Sequence, residues 1–289
     1  MILPEAQSRL DPALIFKTYD TEELADIYFF RPLGMAIART ALACRLTPNQ
    51  ITLLAGIAGT VAGLLLYDES LGLYAFGLLI LHGIIDSADG QLARMTGQIT
   101  DAGFFLDGLS DYCTDIAICL GIAAGILHRG GPGSTIAWAL LAILCIGIQG
   151  MMYVYHRSAY ASVVAKGIAL ENDPPSARAG LPGKLRAGYL SLQQCLISGQ
   201  AQIARLLHNR TIGPTVRDDD RIQYARCFYW PKRGWNLLGA NTRFYVIGAL
   251  AWMHRLDRYF FFILVPMNLA ALTLWLWQRR ADRRFLASL

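Results

Sequence analysis

Long runs of apolar residues alternate with short charged segments along the chain, and six of these runs are long enough to cross a membrane. A bilayer core of about 30 Å requires about 20 predominantly apolar residues in a helix. We therefore predict an all-α integral membrane protein. Its six spans are expected at about 49–67, 71–94, 101–128, 133–156, 235–254 and 258–279.

Two segments outside the spans have the spacing of amphipathic helices. Between Arg31 and Leu46, apolar and small residues alternate with arginines, which is typical of a helix lying on the membrane surface. A soluble capping helix is the alternative for this N-terminal segment. Between Lys184 and His208, apolar residues recur at helical spacing, which predicts a second amphipathic helix in the connection between spans 4 and 5.

The amino-acid composition is that of a membrane protein and excludes other classes. Of the 289 residues, 54% are apolar and 16% are charged, against about 25% charged residues in a typical soluble domain. The 12 Phe, 13 Tyr and 6 Trp residues provide enough apolar surface to exclude a disordered or low-complexity chain. The six cysteines form no C-x-x-C pair and have no histidine at zinc-ligand spacing, so nothing indicates a zinc site.

Positive charges are divided unequally between the two sides of the predicted spans. Of the 26 Lys and Arg residues, 22 lie on one side, 3 on the other, and Arg243 inside a span. By the positive-inside rule, both termini and the long connection face the cytoplasm. We therefore expect a cytoplasmic N-terminus with the interfacial helix (1–46), then a six-helix membrane domain (47–289) with a cytoplasmic insertion at about 157–233. A prokaryotic plasma membrane is the simplest location.

Acidic residues are concentrated where membrane segments usually carry none. Six of the 21 lie between Asp86 and Asp115, at the end of the second span and the start of the third. Asp86 and Asp89 are three residues apart on one predicted helix. Asp107 and Asp111 are four residues apart on the next, so each pair projects from one helix face. Because carboxylates in a membrane segment normally face a bundle interior or a cavity, the two pairs predict an oxygen-rich site near the cytoplasmic surface.

Divalent metal ions are the natural charge compensation for such a site. Four carboxylates would repel one another, and Arg94 is the only fixed cation nearby in the sequence. With no His or Cys interleaved, the oxygen donors favour Mg²⁺ or Mn²⁺ over zinc. Two such ions would suit phosphoryl transfer, since they can stabilise both the attacking and the leaving oxygen.

The residues of this site match a family pattern. From Asp86 to Asp111 the sequence reproduces the arrangement D-x2-D-G-x2-A-R-x8-G-x3-D-x3-D at all eight fixed positions. It resembles the CDP-alcohol phosphatidyltransferase family. The segment Thr47-Pro48-Asn49-Gln50-Ile51-Thr52 also resembles the P-N-x-x-T start of that family's first span.

The resemblance implies a reaction and a set of residue roles. An acceptor hydroxyl attacks the β-phosphorus of a CDP-alcohol, and CMP leaves. Two divalent metal ions would be held by four aspartates, with Asp111 also the general base: Asp86, Asp89, Asp107 and Asp111. The residues implied to bind the CDP moiety are Asn49, Thr52, Gly90, Ala93, Arg94, Gly103 and Asp107. A homodimer is implied by the resemblance alone.

The two alcohols are not identified by the motif. The bilayer location favours CDP-diacylglycerol as the donor, and hence phosphatidyl transfer in phospholipid biosynthesis, with at least one substrate being a lipid. A soluble CDP-alcohol donor, of the inositol-phosphodiester or choline/ethanolamine type, is the alternative. Arg243, as an intramembrane arginine, is a candidate for binding an acceptor phosphate, and Arg157 is a second candidate. A salt bridge to one of the site aspartates is the alternative for Arg243.

A cation transporter is the main alternative of another class, because buried carboxylates also bind ions for translocation. A transporter would favour charges near mid-bilayer and broken helices in two matching halves, and the sequence has neither. The scattered arginines, without a stacking platform, give no support to nucleic-acid binding. Stabilisation by CMP with metal would indicate the enzyme, whereas stabilisation by metal alone would indicate the transporter.

Overall fold

A computed structural model describes residues 22–168, 196–211 and 215–289, and every regular element in these ranges is helical. The α-helices are α1 (Arg31–Ala43), α2 (Pro48–Leu65), α3 (Gly72–Thr96), α4 (Asp101–His128), α5 (Thr135–Tyr160), α6 (Ser198–Asn209), α7 (Asp218–Trp235), α8 (Ala240–Trp252), α9 (Tyr259–Phe262) and α10 (Asn268–Leu286). Short π-helical turns lie at Asp26–Phe30, Ala161–Lys166 and Ile263–Met267, and 3-10 turns at Glu69–Leu71, Asn236–Leu238 and Leu256–Arg258. The predicted all-α class is confirmed.

Five helical segments in the described part of the chain are long and apolar enough to cross a bilayer. They are Pro48–Leu65, Glu69–Thr96, Ala102–His128, Thr135–Lys166 and Leu256–Leu286. These segments coincide with the first four predicted spans and the last one. The prediction of a multi-pass membrane protein is therefore confirmed.

The fifth predicted span, at 235–254, differs from the others. Its helix α8 has 13 residues, which corresponds to about 20 Å, against a bilayer core of about 30 Å. The backbone of Gly239 is extended, with φ −67° and ψ 165°, and this separates α8 from the helical turn before it. Because α8 alone is shorter than the bilayer core, the predicted number of six spans is not confirmed.

The structure describes one of the two predicted amphipathic helices fully and the other only in part. Helix α1 lies within the predicted interfacial segment and ends at Ala43. In the second segment, residues 184–195 lie outside the described residues, while α6 covers Ser198–Asn209. Their placement on the membrane surface stays a prediction.

The start of α2 follows directly from its sequence. Thr47 has extended backbone angles, its hydroxyl accepts from the Gln50 N–H, and the Gln50 side chain accepts from the Thr47 N–H at 2.8 Å. This reciprocal pair is a capping box, and Pro48 occupies the first turn, where its missing N–H has no consequence. The P-N-x-x-T segment therefore begins the helix at a fixed residue.

The first of two compact units contains the described residues up to Leu144 together with Asn241–Phe262. Within it, α2 packs against both α3 and α4. Small residues allow the close approach, since a Cβ added at Gly63 would lie 2.5 Å from the main chain of Ala117 and Ile118. This packing holds α2 beside the helices that carry the predicted aspartates.

The second unit contains the described residues of Cys145–Ala240 and Ile263–Leu289. Its core combines aromatic and aliphatic side chains and consists of Tyr160, Val163, Ile203, Leu207, Val216, Tyr224, Phe228, Ala281 and Phe285. Beside this core, buried Asp282 accepts hydrogen bonds from Gln200 at 2.7 Å and Gln278 at 3.0 Å. The buried Asp282 carboxylate is thus paired with two side-chain amides.

Candidate active site

The predicted acidic site lies at the junction of α3 and α4. Gly97 ends α3 in the left-handed conformation, with φ 69°, which glycine adopts without strain. Thr100 then caps α4 by accepting from the Gly103 N–H at 3.0 Å. The tight connection brings the last turns of α3 and the first turns of α4 together, as the motif spacing predicts.

Three of the four predicted metal ligands form one cluster. Asp86, Asp89 and Asp107 each present a carboxylate oxygen, and these oxygens lie within 4.8 Å of one another. Asp89 is buried, whereas Asp86 and Asp107 are half-buried. Within the described residues, the buried Oδ1 atom of Asp86 has no hydrogen-bond partner. The cluster therefore offers oxygen ligands at a spacing that could hold a metal ion.

Electrostatic repulsion within the cluster is large. At 4.8 Å, two unit charges repel by roughly 3.5 kcal/mol at an effective dielectric constant of about 20. Three carboxylates at this spacing favour either protonation or a bound cation. Because the donors are all carboxylate oxygens, a hard divalent ion fits this site better than zinc.

Asp111 lies one turn beyond Asp107 on α4 and is not part of the cluster. Its side chain is 55% exposed, and its Oδ1 lies 3.8 Å from the Nε2 of His82. An exposed carboxylate beside this carboxylate cluster is accessible to a substrate hydroxyl. The general-base role stays a prediction for this residue.

His82 is a site residue that the sequence analysis missed. It is buried, its Nδ1 lies 2.9 Å from the Ala55 carbonyl oxygen, and its Nε2 faces Asp111. Because a carbonyl oxygen can only accept, Nδ1 carries the hydrogen. The signal was the position of His82 one turn before Asp86, which places both residues on the same face of α3.

The hydroxyl of Thr52 ties α2 to the acidic cluster. Its Oγ1 donates to Asp89 Oδ2 at 2.5 Å and lies 3.1 Å from the Pro48 carbonyl oxygen. Since the hydroxyl has one hydrogen, the shorter bond to the carboxylate is expected to dominate. The family resemblance implied that Thr52 binds the CDP moiety, and the structure adds a contact with a predicted metal ligand.

The other CDP-binding candidates lie around two glycines. A Cβ at Gly103 would be 3.2 Å from Asn49 Oδ1, so this glycine keeps space open beside Asn49. At Gly90, the nearest such atom is the Arg94 Nη1, at 3.5 Å. Ala93 and Arg94 are half-buried on the following turn of α3. Binding of CDP by these residues stays a prediction.

Arg243 forms a buried ion pair. Its Nη2 donates to Asp115 Oδ2 at 3.0 Å, and both residues are buried. Pairing with an aspartate was the alternative that the sequence left open, and Asp115 follows Asp111 by one turn on α4. Arg157 belongs to the second unit, where its Nη1 donates to the Tyr153 hydroxyl at 3.0 Å. A role in acceptor binding stays a prediction for both arginines.

Comparison with known proteins decides the family. A family model described as CDP-alcohol phosphatidyltransferase matches residues 45–198, just over half of the 289 residues. The chain belongs to the CDP-alcohol phosphatidyltransferase family. The predicted transferase class and its place in phospholipid biosynthesis are thereby confirmed, and membership in an enzyme family argues against the cation transporter.

Several known proteins are similar to part of this chain. A phosphatidylinositol phosphate synthase of Cutibacterium acnes is 28% identical over 172 residues, 60% of this chain and 76% of the relative. An archaetidylinositol phosphate synthase of Pyrococcus horikoshii is 31% identical over 135 residues, 46% of this chain and 67% of the relative. A CDP-diacylglycerol–serine O-phosphatidyltransferase of Methanocaldococcus jannaschii is 33% identical over 98 residues, 34% of this chain and 42% of the relative.

Proposed function

We propose that this enzyme transfers a phosphatidyl-type group from CDP-diacylglycerol to a phosphorylated polyol of the inositol phosphate class and releases CMP. The carboxylate cluster of Asp86, Asp89 and Asp107 is the observation that carries the proposal. The relatives named as inositol phosphate lipid synthases support the acceptor class. The relative named for CDP-diacylglycerol supports the lipid donor.

The cluster and Asp111 together hold two divalent ions, Mg²⁺ or Mn²⁺. The all-oxygen donor set, the close spacing and the orphaned Asp86 oxygen support this assignment. When bound, the ions neutralise phosphate oxygens of the donor and stabilise the charge that develops on them. Thr52 keeps Asp89 oriented through its hydrogen bond.

Asp111 is the general base for the acceptor hydroxyl. It removes the hydroxyl proton as the oxygen attacks the β-phosphorus, and the bond to CMP breaks. Its 55% exposure supports access by the acceptor. His82, whose Nδ1–H is bonded to the Ala55 carbonyl, directs its Nε2 toward this carboxylate at 3.8 Å.

The donor is bound by residues around the start of α2 and the junction of α3 and α4. Asn49 and Gly103 lie next to one another, and Gly90 lies next to Arg94. A missing side chain at each glycine lets a flat base or a pyrophosphate approach the backbone. Arg94 supplies a positive charge for the CDP phosphates.

The membrane arrangement is six spans with the active site facing the cytoplasm. The charge asymmetry of 22 against 3 Lys and Arg residues supports this orientation. Helix α8 and the turn that precedes it form the fifth span. The proposed location is a prokaryotic plasma membrane, and the proposed oligomeric state is a homodimer.

The test is CMP release by the purified protein in lipid with Mn²⁺ or Mg²⁺. CDP-diacylglycerol and soluble CDP-alcohols are each offered with inositol phosphate, unphosphorylated inositol and other alcohols. We expect release with CDP-diacylglycerol and inositol phosphate, and loss of at least about a hundredfold in rate for Asp111→Asn. Asp257→Asn serves as the matched control, because Asp257 is paired with Arg255 and Arg258 outside the site.

Each other result has a defined meaning. Release from a soluble CDP-alcohol alone would replace the lipid donor by the alternative donor class. Release with unphosphorylated inositol at an equal rate would refute the phosphorylated acceptor. Full activity of Asp111→Asn would remove Asp111 as the base.

A further inference from the structure

A groove between α7 and α10 of the second unit is lined by three arginines and two tryptophans. Its volume is about 420 Å³. Its lining residues are Arg226, Cys227, Trp230 and Pro231 of α7 and Trp277, Arg280, Ala281 and Arg284 of α10. None of these residues has a role in the proposed reaction.

The packing of α7 on α10 determines how the groove runs. At one end, a Cβ on Gly234 would lie 2.6 Å from the Leu274 side chain and 3.3 Å from the Trp277 ring. At the other end, the Phe228 and Phe285 rings lie 5.5 Å apart. The two helices are therefore antiparallel, so the tryptophans lie toward one end of the groove and Arg226 and Arg284 toward the other.

The charges of the groove are uncompensated within the described residues. No carboxylate lines it, and the side chains of Arg226, Arg280 and Arg284 make no hydrogen bond or ion pair there. Three guanidinium groups around one groove repel one another, and an anion would relieve this repulsion. Guanidinium groups bind phosphate oxygens in bidentate fashion, which makes a phosphate the matching ligand.

The tryptophans indicate the depth of the groove in the membrane. Helix α10 forms the last part of the candidate span Leu256–Leu286, and Trp277 and Trp230 are 42% and 66% exposed. Exposed tryptophans are enriched at the boundary between hydrocarbon and headgroups. At 1.5 Å per residue, Arg280 lies about 4.5 Å and Arg284 about 10 Å beyond Trp277 along the helix. The arginines therefore lie at the level where lipid phosphates are found.

We propose that this groove binds the phosphate of an anionic phospholipid from the surrounding bilayer. The arginines contact the phosphodiester, and the two tryptophans contact the glycerol and the first carbons of the chains. The proposal depends on α10 crossing the membrane and is independent of which alcohols the enzyme uses.

The test compares two double variants of the same helix. Arg280→Gln/Arg284→Gln removes two charges from the groove. Arg279→Gln/Arg283→Gln removes the same charge at nearly the same depth but outside the groove lining, where Arg279 stacks on the Trp275 ring at 4.3 Å. Thermal unfolding in neutral detergent is followed while phosphatidylglycerol, phosphatidylcholine or inorganic phosphate is added.

We expect phosphatidylglycerol to raise the Tm of the unmodified protein more than phosphatidylcholine does. In Arg280→Gln/Arg284→Gln, the half-saturating phosphatidylglycerol concentration should rise at least about tenfold, and in the control variant it should stay near the original value. Equal weakening in both double variants would reduce the effect to general surface charge and overturn the proposal. A full Tm shift by inorganic phosphate alone would identify a site for soluble phosphate and would also overturn it. If the groove variant does not fold, the single change Arg226→Gln repeats the test.

Discussion

The hydrogen bond from Thr52 to Asp89 offers a direct test of how the carboxylate cluster is held in place. Thr52→Val replaces the hydroxyl by a methyl group of nearly the same size. The change removes a donor at 2.5 Å from a carboxylate that is 8% exposed. Asp89 then stays in the cluster but loses a contact that fixes its orientation.

The expected magnitude follows from the type of bond. A hydrogen bond to a charged group contributes about 1.5–3 kcal/mol, and about 1.4 kcal/mol corresponds to a tenfold change in binding. Loss of a partner that orients a metal ligand typically lowers metal affinity or activity about 10- to 100-fold. We therefore expect the half-saturating Mn²⁺ concentration for CMP release to rise by about tenfold or more.

The assay is the initial rate of CMP release as a function of Mn²⁺ concentration. Thr52→Ser keeps a hydroxyl and should retain most of the metal affinity. Thr114→Val is the matched control, because the buried Thr114 hydroxyl donates to the Ser110 carbonyl oxygen and, among the described residues, to no carboxylate. An unchanged Mn²⁺ dependence in Thr52→Val, or an equal shift in Thr114→Val, would refute the reasoning.

Two further predictions concern packing and the buried ion pair. Gly63→Ala should lower the Tm, since its Cβ would lie 2.5 Å from main-chain atoms of α4 and overpacking costs about 1–3 kcal/mol. At Gly77, an added Cβ would have no atom within 4 Å, so Gly77→Ala should stabilise the protein by about 0.5–1 kcal/mol. Similar Tm changes in Gly63→Ala and Gly77→Ala would contradict this packing argument. Arg243→Ala should destabilise by about 3–5 kcal/mol because it leaves buried Asp115 unpaired, whereas Arg243→Ala/Asp115→Ala should lose less. An unchanged acceptor KM in that double variant would exclude a binding role for Arg243.

Much of the acidic site follows from the sequence because it depends on local spacing. Asp86 and Asp89 share a face of one helix, and Asp107 starts the matching face of the next, with a capped turn between them. Helical periodicity alone places these residues together. The start of α2 was equally predictable, since Pro48 and the capping residues act within one turn.

Other features depend on contacts between distant residues and were not predictable. His82 lies in an apolar run, and its role depends on the Ala55 carbonyl of another helix. The partner of Arg243 could not be chosen from the sequence. Helical spacing shows which aspartates share a helix face, but it does not show which of them lies opposite an arginine on another helix. The short α8 was missed because hydropathy continues across Gly239, whereas the backbone there is extended.

The Arg243–Asp115 pair has a consequence for biogenesis. In the proposed six-span arrangement, α8 combines a length of 13 residues with an arginine in its first turn, and an arginine in a membrane segment disfavours insertion. Helix α4, by contrast, belongs to a segment that is long and apolar enough to cross a bilayer. It is synthesised first and carries the carboxylate that neutralises Arg243. Stable entry of α8 into the bilayer therefore waits for α4, which gives the chain a fixed order of assembly.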